Sequence, residues 1–210
     1  MRAIDDTRRW MTGGQELFDA AVAGLSDAGI AQPSLLPGWC RGNVIAHVAA
    51  NADAIGNLIH WAATGEETAM YASPEDRAAG IAKGVTLSPA ELRAWLSDSV
   101  GALAAAMDGL TPAQWQCEVR TVQGRTVPVT ETLWMRAREV CVHAVDLGTG
   151  CTFADLPSGF CEALSEEIRE KRGLDSLPAS VAGAPLPEVA AWLAGRPYSI
   201  ANAPELGPWL

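Results

Sequence analysis

Apolar residues recur at helical spacing through most of the first 150 residues. The pattern predicts four long helices, over residues 4–25, 41–63, 89–107 and 130–147, and a shorter one after residue 74. The sequence Ser88-Pro89-Ala90-Glu91 is typical of a helix start, because serine caps the first turn, proline suits its first position and glutamate completes a capping box. Four long amphipathic helices joined by loops of moderate length favour a mainly α fold, a four-helix bundle.

The pattern changes towards the C-terminus. Two β-rich pieces, 118–122 and 125–129, flank Gln123-Gly124 and predict a hairpin or an extended crossing loop. After Gly150, a helix predicted over residues 158–171 precedes a proline- and glycine-rich stretch, 173–187, and a short helix over 188–194. We therefore expect a bundle domain at residues 1–150 and a small α or α+β appendage at residues 151–210.

Composition and charge exclude several classes of function. The formal net charge of −10 repels phosphate backbones, so we expect no nucleic-acid partner. No apolar run reaches the roughly 18 residues of a membrane span, and the N-terminus lacks the apolar segment of a secretory signal, which predicts a cytoplasmic protein without a membrane partner. The five cysteines are scattered, with no C-x-x-C pair, and are expected to be reduced and buried rather than to bind zinc. No glycine-rich phosphate loop is present, which argues against a nucleotide cofactor.

Histidine and carboxylate spacing predicts a metal site. Glu139 and His143 stand four residues apart, so a helix presents both on one face. Catalytic zinc takes three such ligands and leaves one position open, and a bundle supplies the third ligand from a facing helix. His47 lies in an apolar stretch of the second helix, whereas His60 lies roughly 140° further around that helix. We therefore predict a site of His47, Glu139 and His143, against the alternatives of a solvated pair and a hydrogen-bonded core histidine.

Two further charged residues lie near this helix face. Asp146 follows His143 by three residues and could orient that ligand or move protons, although an aspartate at a helix end is often only solvated. Arg136 precedes Glu139 by three residues and could neutralise substrate charge, although a surface cation is the expected role.

Longer segments resemble a known family. Residues 34–47 and the following Asn51-Ala52-Asp53 resemble the second-helix signature of the DinB-like metal-binding superfamily. Residues 60–71, 124–128 and 131–147 resemble mycothiol-dependent maleylpyruvate isomerases more narrowly. The resemblance implies that His47, Glu139 and His143 bind Zn²⁺, and that the metal activates the thiol of mycothiol. The implied activity is conversion of maleylpyruvate to fumarylpyruvate in gentisate degradation.

The resemblance also points to the C-terminal segment. Gly195-Arg196 resembles a Gly-Arg element of the family, whose arginine is expected to be catalytic through a bidentate contact to a substrate carboxylate. A surface arginine after a helix is the alternative. The family carries an α/β region before this arginine, and only residues 173–195 span the gap here, so a shortened appendage is expected.

Two other functions use the same residues. A thiol S-transferase would join mycothiol or another low-molecular-weight thiol to an electrophile, and a non-catalytic binding module would use the metal only for stability. The expected partner of the enzyme is a small-molecule diacid, and the expected assembly is a monomer or a small homo-oligomer.

Overall fold

The computed structural model describes residues 2–207 and 209, and helices dominate them. The α-helices of this part of the chain are α1 (Ile4–Ala23), α2 (Asp27–Ile30), α3 (Arg41–Thr64), α4 (Pro74–Gly84), α5 (Pro89–Asp108), α6 (Glu131–Asp146), α7 (Phe160–Arg172) and α8 (Leu186–Leu193). Short 3-10 turns lie at Gln114–Gln116 and Phe153–Asp155. The predicted mainly α fold is confirmed.

Four long helices form the bundle. Helix α1 packs against α6, α6 against α3, and α3 against α5. The start of α5 has the predicted capping box, since Ser88 Oγ accepts from the Glu91 amide at 3.3 Å and Glu91 Oε2 accepts from the Ser88 amide at 2.8 Å. Helix α3 ends at Thr64, and the following Gly65 has a φ of +79°, which suits a glycine after the last turn. The predicted ends of these helices differ from the observed ones by at most two residues.

Helix α1 approaches α6 closely at Gly14. A Cβ atom at this position would collide with Cys141 Sγ and lie 2.8 Å from Val140 Cγ2. The absence of a side chain at Gly14 therefore sets the distance between α1 and the helix that carries Glu139 and His143.

A short antiparallel hairpin precedes α6. Strands β1 (Glu118–Arg120) and β2 (Thr126–Pro128) pair with Val119 opposite Val127, and both valines are buried. Of the two predicted alternatives, the hairpin is observed, although each strand is shorter than its β-rich segment. Helix α2 and the two 3-10 turns were not predicted, because one helical turn is too short to show a periodicity.

The C-terminal segment covers the bundle with helices. Among its described residues there is no strand, so the α form of the predicted appendage is observed. Trp10 of α1 lies edge-on to Trp134 of α6 with 5.8 Å between ring centroids, and Trp134 lies 5.6 Å from Phe160 of α7. These rings and Trp192 of α8 belong to one hydrophobic cluster. Residues before and after position 150 therefore share a core.

Two exclusions drawn from composition can be compared with the structure. No helix in residues 2–207 and 209 has both the length and the hydropathy of a membrane span. All five cysteines are free thiols; Cys141 and Cys161 are buried as expected, but Cys117 is exposed. The expectation of burial was wrong for Cys117, because the turn that holds it lies at the protein surface.

Candidate metal centre

Helices α3 and α6 bring the three predicted ligands together. Nε2 of His47 lies 2.9 Å from Oε2 of Glu139, and Nε2 of His143 lies 3.3 Å from the same oxygen. The rings of His47 and His143 stand perpendicular, with centroids 4.8 Å apart. One ligand atom from each residue lies within 4.8 Å of the other two. The i,i+4 pair on α6 thus meets a histidine from a facing helix, in the arrangement expected from the spacing.

The centre is enclosed but open on one side. The side chains of His47 and His143 are 7% and 13% exposed, whereas that of Glu139 is 25% exposed. Burial by itself would raise the pKa of Glu139, but hydrogen bonds and charges of His143 and His47 hold it well below its usual range. Glu139 is therefore a carboxylate at neutral pH.

A second carboxylate orients His143. Asp146 is completely buried, so the alternative of a solvated helix end was wrong, and its Oδ2 lies 2.9 Å from His143 Nδ1. Burial opposes the charge of His143, but the hydrogen bonds to Asp146 and Glu139 raise its pKa to about 9. Burial likewise opposes the charge of Asp146, whose pKa is lowered by hydrogen bonds from His143 and Arg196.

Arg196 reaches the centre from the C-terminal segment. Its Nε donates to Asp146 Oδ1 and its Nη2 to Asp146 Oδ2, both at 3.0 Å, and its Nη1 donates to the Ala194 carbonyl at 2.8 Å. The side chain is 9% exposed, so it is not the surface arginine of the alternative reading. Two nitrogens of this guanidinium contact the carboxylate of Asp146, whereas the predicted partner was a substrate carboxylate. A chain of contacts runs from Arg196 through Asp146 to His143.

The loop before α3 is tied to the end of α6. The Leu35 amide donates to the Asp146 carbonyl at 2.8 Å, and Arg41 donates from Nε to the Leu147 carbonyl at 2.8 Å and from Nη2 to the Gly148 carbonyl at 3.0 Å. Sequence reasoning missed Arg41. A cation in the first turn of a helix opposes the helix dipole, and this was the signal that it has another partner.

Arg136 is buried, and the expectation of a surface cation was wrong. The residue is 1% exposed and lies on α6 one turn before Glu139. The spacing of three residues places both side chains on one helix face, so the inward direction of Glu139 predicts that of Arg136. His60 is exposed and lies apart from the centre, as its angle around the helix indicated.

The three ligands fit a zinc ion. With zinc–ligand bonds of about 2.0–2.2 Å, tetrahedral neighbours lie about 3.3–3.6 Å apart. The two separations from Glu139 Oε2, 2.9 and 3.3 Å, are close to this range, and all three ligand atoms lie within 4.8 Å of one another. Asp146 accepts from the other ring nitrogen of His143. A carboxylate in this position is the usual hydrogen-bond partner of a metal-bound histidine. Glu139 is the most exposed of the three side chains, at 25%, so a further ligand would approach the centre from its side.

Comparisons with known proteins show the family of the chain. The sequence profile described as the mycothiol maleylpyruvate isomerase N-terminal domain matches residues 13–148, more than half of the chain. The chain belongs to this family. Its fold is similar to a crystal structure of the mycothiol-dependent maleylpyruvate isomerase, with a TM-score of 0.89, 38% sequence identity, and coverage of 99% of this chain and 98% of that one. A structure of a histidine-to-alanine mutant of that enzyme matches with the same TM-score and coverage at 37% identity.

A comparison with curated proteins finds no match. The family profile ends at residue 148, so the division into domains at residue 150 and the shortening of the C-terminal appendage stay predictions.

Proposed function

We propose that the protein is a zinc- and thiol-dependent cis–trans isomerase that converts maleylpyruvate to fumarylpyruvate, with mycothiol as the thiol. The observation that carries the proposal is the meeting of His47, Glu139 and His143 within 4.8 Å. It is supported by the 38% identity of this chain, over 99% of its length, to a mycothiol-dependent maleylpyruvate isomerase. The substrate would be a small diacid, as the sequence predicted.

The protein side chains would hold the metal and set its surroundings. Glu139 and the two histidines supply one negative and two neutral ligands, which is a donor set typical of catalytic zinc. When bound, zinc lowers the pKa of a thiol so that its thiolate, the nucleophilic form, is present at neutral pH. Asp146 holds the proton of His143 on Nδ1 and so keeps the lone pair of Nε2 directed at the centre.

The proposed reaction uses the thiol as a nucleophile that is returned unchanged. The thiolate adds to one carbon of the cis double bond, and the electron pair moves into the conjugated carbonyl group. The former double bond is then single and rotates. Return of the electron pair expels the thiolate and leaves the trans isomer, so the thiol is regenerated and no oxidant is consumed.

Arg196 would act through Asp146 in this scheme. Both prongs of its guanidinium are engaged by that carboxylate at 3.0 Å, which leaves the third nitrogen on a backbone carbonyl. We therefore assign Arg196 as a positioning residue that fixes Asp146, and with it the ring of His143. This assignment differs from the direct contact to a substrate carboxylate that the family resemblance implied.

Space for the organic part of the thiol or the substrate lies beside His47. A cavity of about 480 Å³ is lined by residues 31 and 33–40. Trp39 lines this cavity and packs edge-on against the His47 ring, with 5.8 Å between centroids. Trp39 therefore lies both in the wall of this cavity and against the ring of His47.

The proposal is tested by incubating the zinc-loaded protein with maleylpyruvate, with and without mycothiol, and following the ultraviolet spectrum of the diacid. We expect isomerisation only when both zinc and thiol are present, and none with a folded His47→Ala variant. Consumption of thiol with a stable adduct would favour the S-transferase. Zinc binding without any reaction would favour the binding module.

A further inference from the structure

Arg136 is a buried cation with only neutral hydrogen-bond partners. Its Nη1 donates to the Val48 carbonyl at 2.8 Å and to Asn51 Oδ1 at 2.9 Å, and its Nη2 donates to Gln15 Oε1 at 2.9 Å. Among the side chains that the structure describes, which leave out those of residues 74, 76 and 77, no carboxylate forms an ion pair with it within 4.0 Å. By contrast, Arg138 and Arg196, on the same helix and against its end, each contact a carboxylate.

The guanidinium keeps its charge. Burial lowers the pKa of Arg136 to about 10, while Glu139, Asp19 and Asp53 oppose that change from a distance. Arg136 is thus protonated at neutral pH. Because it is 1% exposed, water screens its charge poorly.

The position of Arg136 places its charge close to the candidate metal centre. Arg136 lies one turn before Glu139 on α6, and its acceptors on α3 are Val48, next to His47, and Asn51, one turn after it. The guanidinium therefore lies between the two helices that carry the ligands. Gln15 connects Arg136 to Asp19 by hydrogen bonds: its Oε1 accepts from Arg136, and its Nε2 donates to Asp19 Oδ1 at 2.8 Å.

We propose that Arg136 is the electrostatic positioning residue of the centre, whose buried charge favours anionic ligands at the metal and weakens the binding of the metal itself. The inference rests on the proposed function, because it assumes a metal and an anionic ligand at His47, Glu139 and His143. A thiolate and a diacid together bring several negative charges to the centre. A buried cation whose direct hydrogen-bond partners are all neutral favours their binding.

If the charge of Arg136 is what matters, its removal should change the affinity for zinc and the affinity for an anionic ligand in opposite directions. Zinc affinity is measured by competition with a chromogenic chelator, and anion affinity by calorimetry of mercaptosuccinate, a thiol diacid, on the zinc-loaded protein. At an effective dielectric constant near 20, unit charges within about 10 Å change an affinity about tenfold. We expect Arg136→Met to bind zinc at least about tenfold more tightly and mercaptosuccinate about tenfold more weakly. We expect Arg136→Lys to stay near the wild type in both.

Two further variants separate charge from structure. Arg138→Met removes a neighbouring arginine that already contacts Glu167, and we expect neither affinity to change. The double variant Gln15→Glu/Asp19→Asn leaves the net charge constant, keeps an acceptor for Arg136 and moves the carboxylate into contact with it. It should change both affinities in the direction of Arg136→Met, and it serves the test if Arg136→Met does not fold.

The outcomes distinguish this inference from the proposed function. Weaker binding of both zinc and mercaptosuccinate in the variants would mean that Arg136 is merely structural, and the inference would be overturned while the proposed function stands. Unchanged affinities in the double variant and in a folded Arg136→Met would overturn it as well. Absence of zinc binding by the wild-type protein would overturn both.

Discussion

Glu167 on α7 binds the C-terminal segment to the bundle, and its replacement should destabilise the whole fold. The carboxylate is 9% exposed and accepts from Arg138 at 2.5 Å, Arg2 at 2.7 Å and Lys171 at 2.6 Å, as well as from the indole of Trp134. Glu167→Gln keeps the shape and one acceptor oxygen but removes the charge that three cations share.

The magnitude follows from the exposure of the partners. Lys171 is 42% exposed, so its pair is worth at most about 0.5 kcal/mol. Arg138 and Arg2 are 17% and 28% exposed, and charge-assisted hydrogen bonds at such partly buried sites contribute about 1–1.5 kcal/mol each. We expect Glu167→Gln to lower the free energy of unfolding by about 3 kcal/mol at pH 7, or Tm by about 6–12 °C.

The assay is urea unfolding followed by circular dichroism, with Glu166→Gln as the matched control. Glu166 is the exposed neighbour on α7, so its loss changes the net charge equally and should change stability by less than about 0.5 kcal/mol. Burial alone would raise the pKa of Glu167, but Arg138, Lys171 and Trp134 lower it. The carboxylate therefore stabilises the fold above the pKa that it has in the unfolded chain, and this stabilisation disappears as the pH falls through its pKa in the folded protein. The gap between wild type and Glu167→Gln should therefore narrow below pH 4. Equal effects of the two variants, or a gap that does not depend on pH, would refute the reasoning.

Three further predictions concern the centre and its support. Because the pKa of His143 is raised to about 9, the metal-free protein should lose stability as the pH rises from 6.5 to 9. For the same reason zinc binding at pH 7 should release about one proton, measured by calorimetry in two buffers, and zinc binding without proton release would contradict this. If Arg196 acts through Asp146, Arg196→Met should lower kcat with little change in the KM for maleylpyruvate. The double variant Asp146→Asn/Arg196→Met should then lose no more of kcat than the worse single variant, whereas additive losses or a raised KM would assign Arg196 to the substrate instead. Gly14→Ala should lower the free energy of unfolding in urea by about 1–3 kcal/mol, because the added methyl group would collide with Val140 and Cys141. Gly101→Ala on α5 is the control, because its methyl group would meet no atom within 4 Å and should not destabilise the protein.

The sequence by itself determined the long helices and the three candidate ligands. Both follow from local rules: apolar periodicity places a helix, a capping box starts α5, and a spacing of four residues puts Glu139 and His143 on one face. With three histidines in the chain, the angle between His47 and His60 was enough to choose the partner from α3.

Only the tertiary structure decided how the charged residues around the centre are used. Arg136 meets Gln15 across 121 positions, Arg196 meets Asp146 across 50, and the cations that meet Glu167 come from α6 and α7 and from residue 2. A charged side chain has the same appearance in a sequence whether it is solvated or buried. Its partner depends on which helices pack together and at what distance, and small residues such as Gly14 at the α1–α6 contact set that distance. The sequence therefore names the candidate metal ligands, and the packing of the bundle decides which charges lie around them.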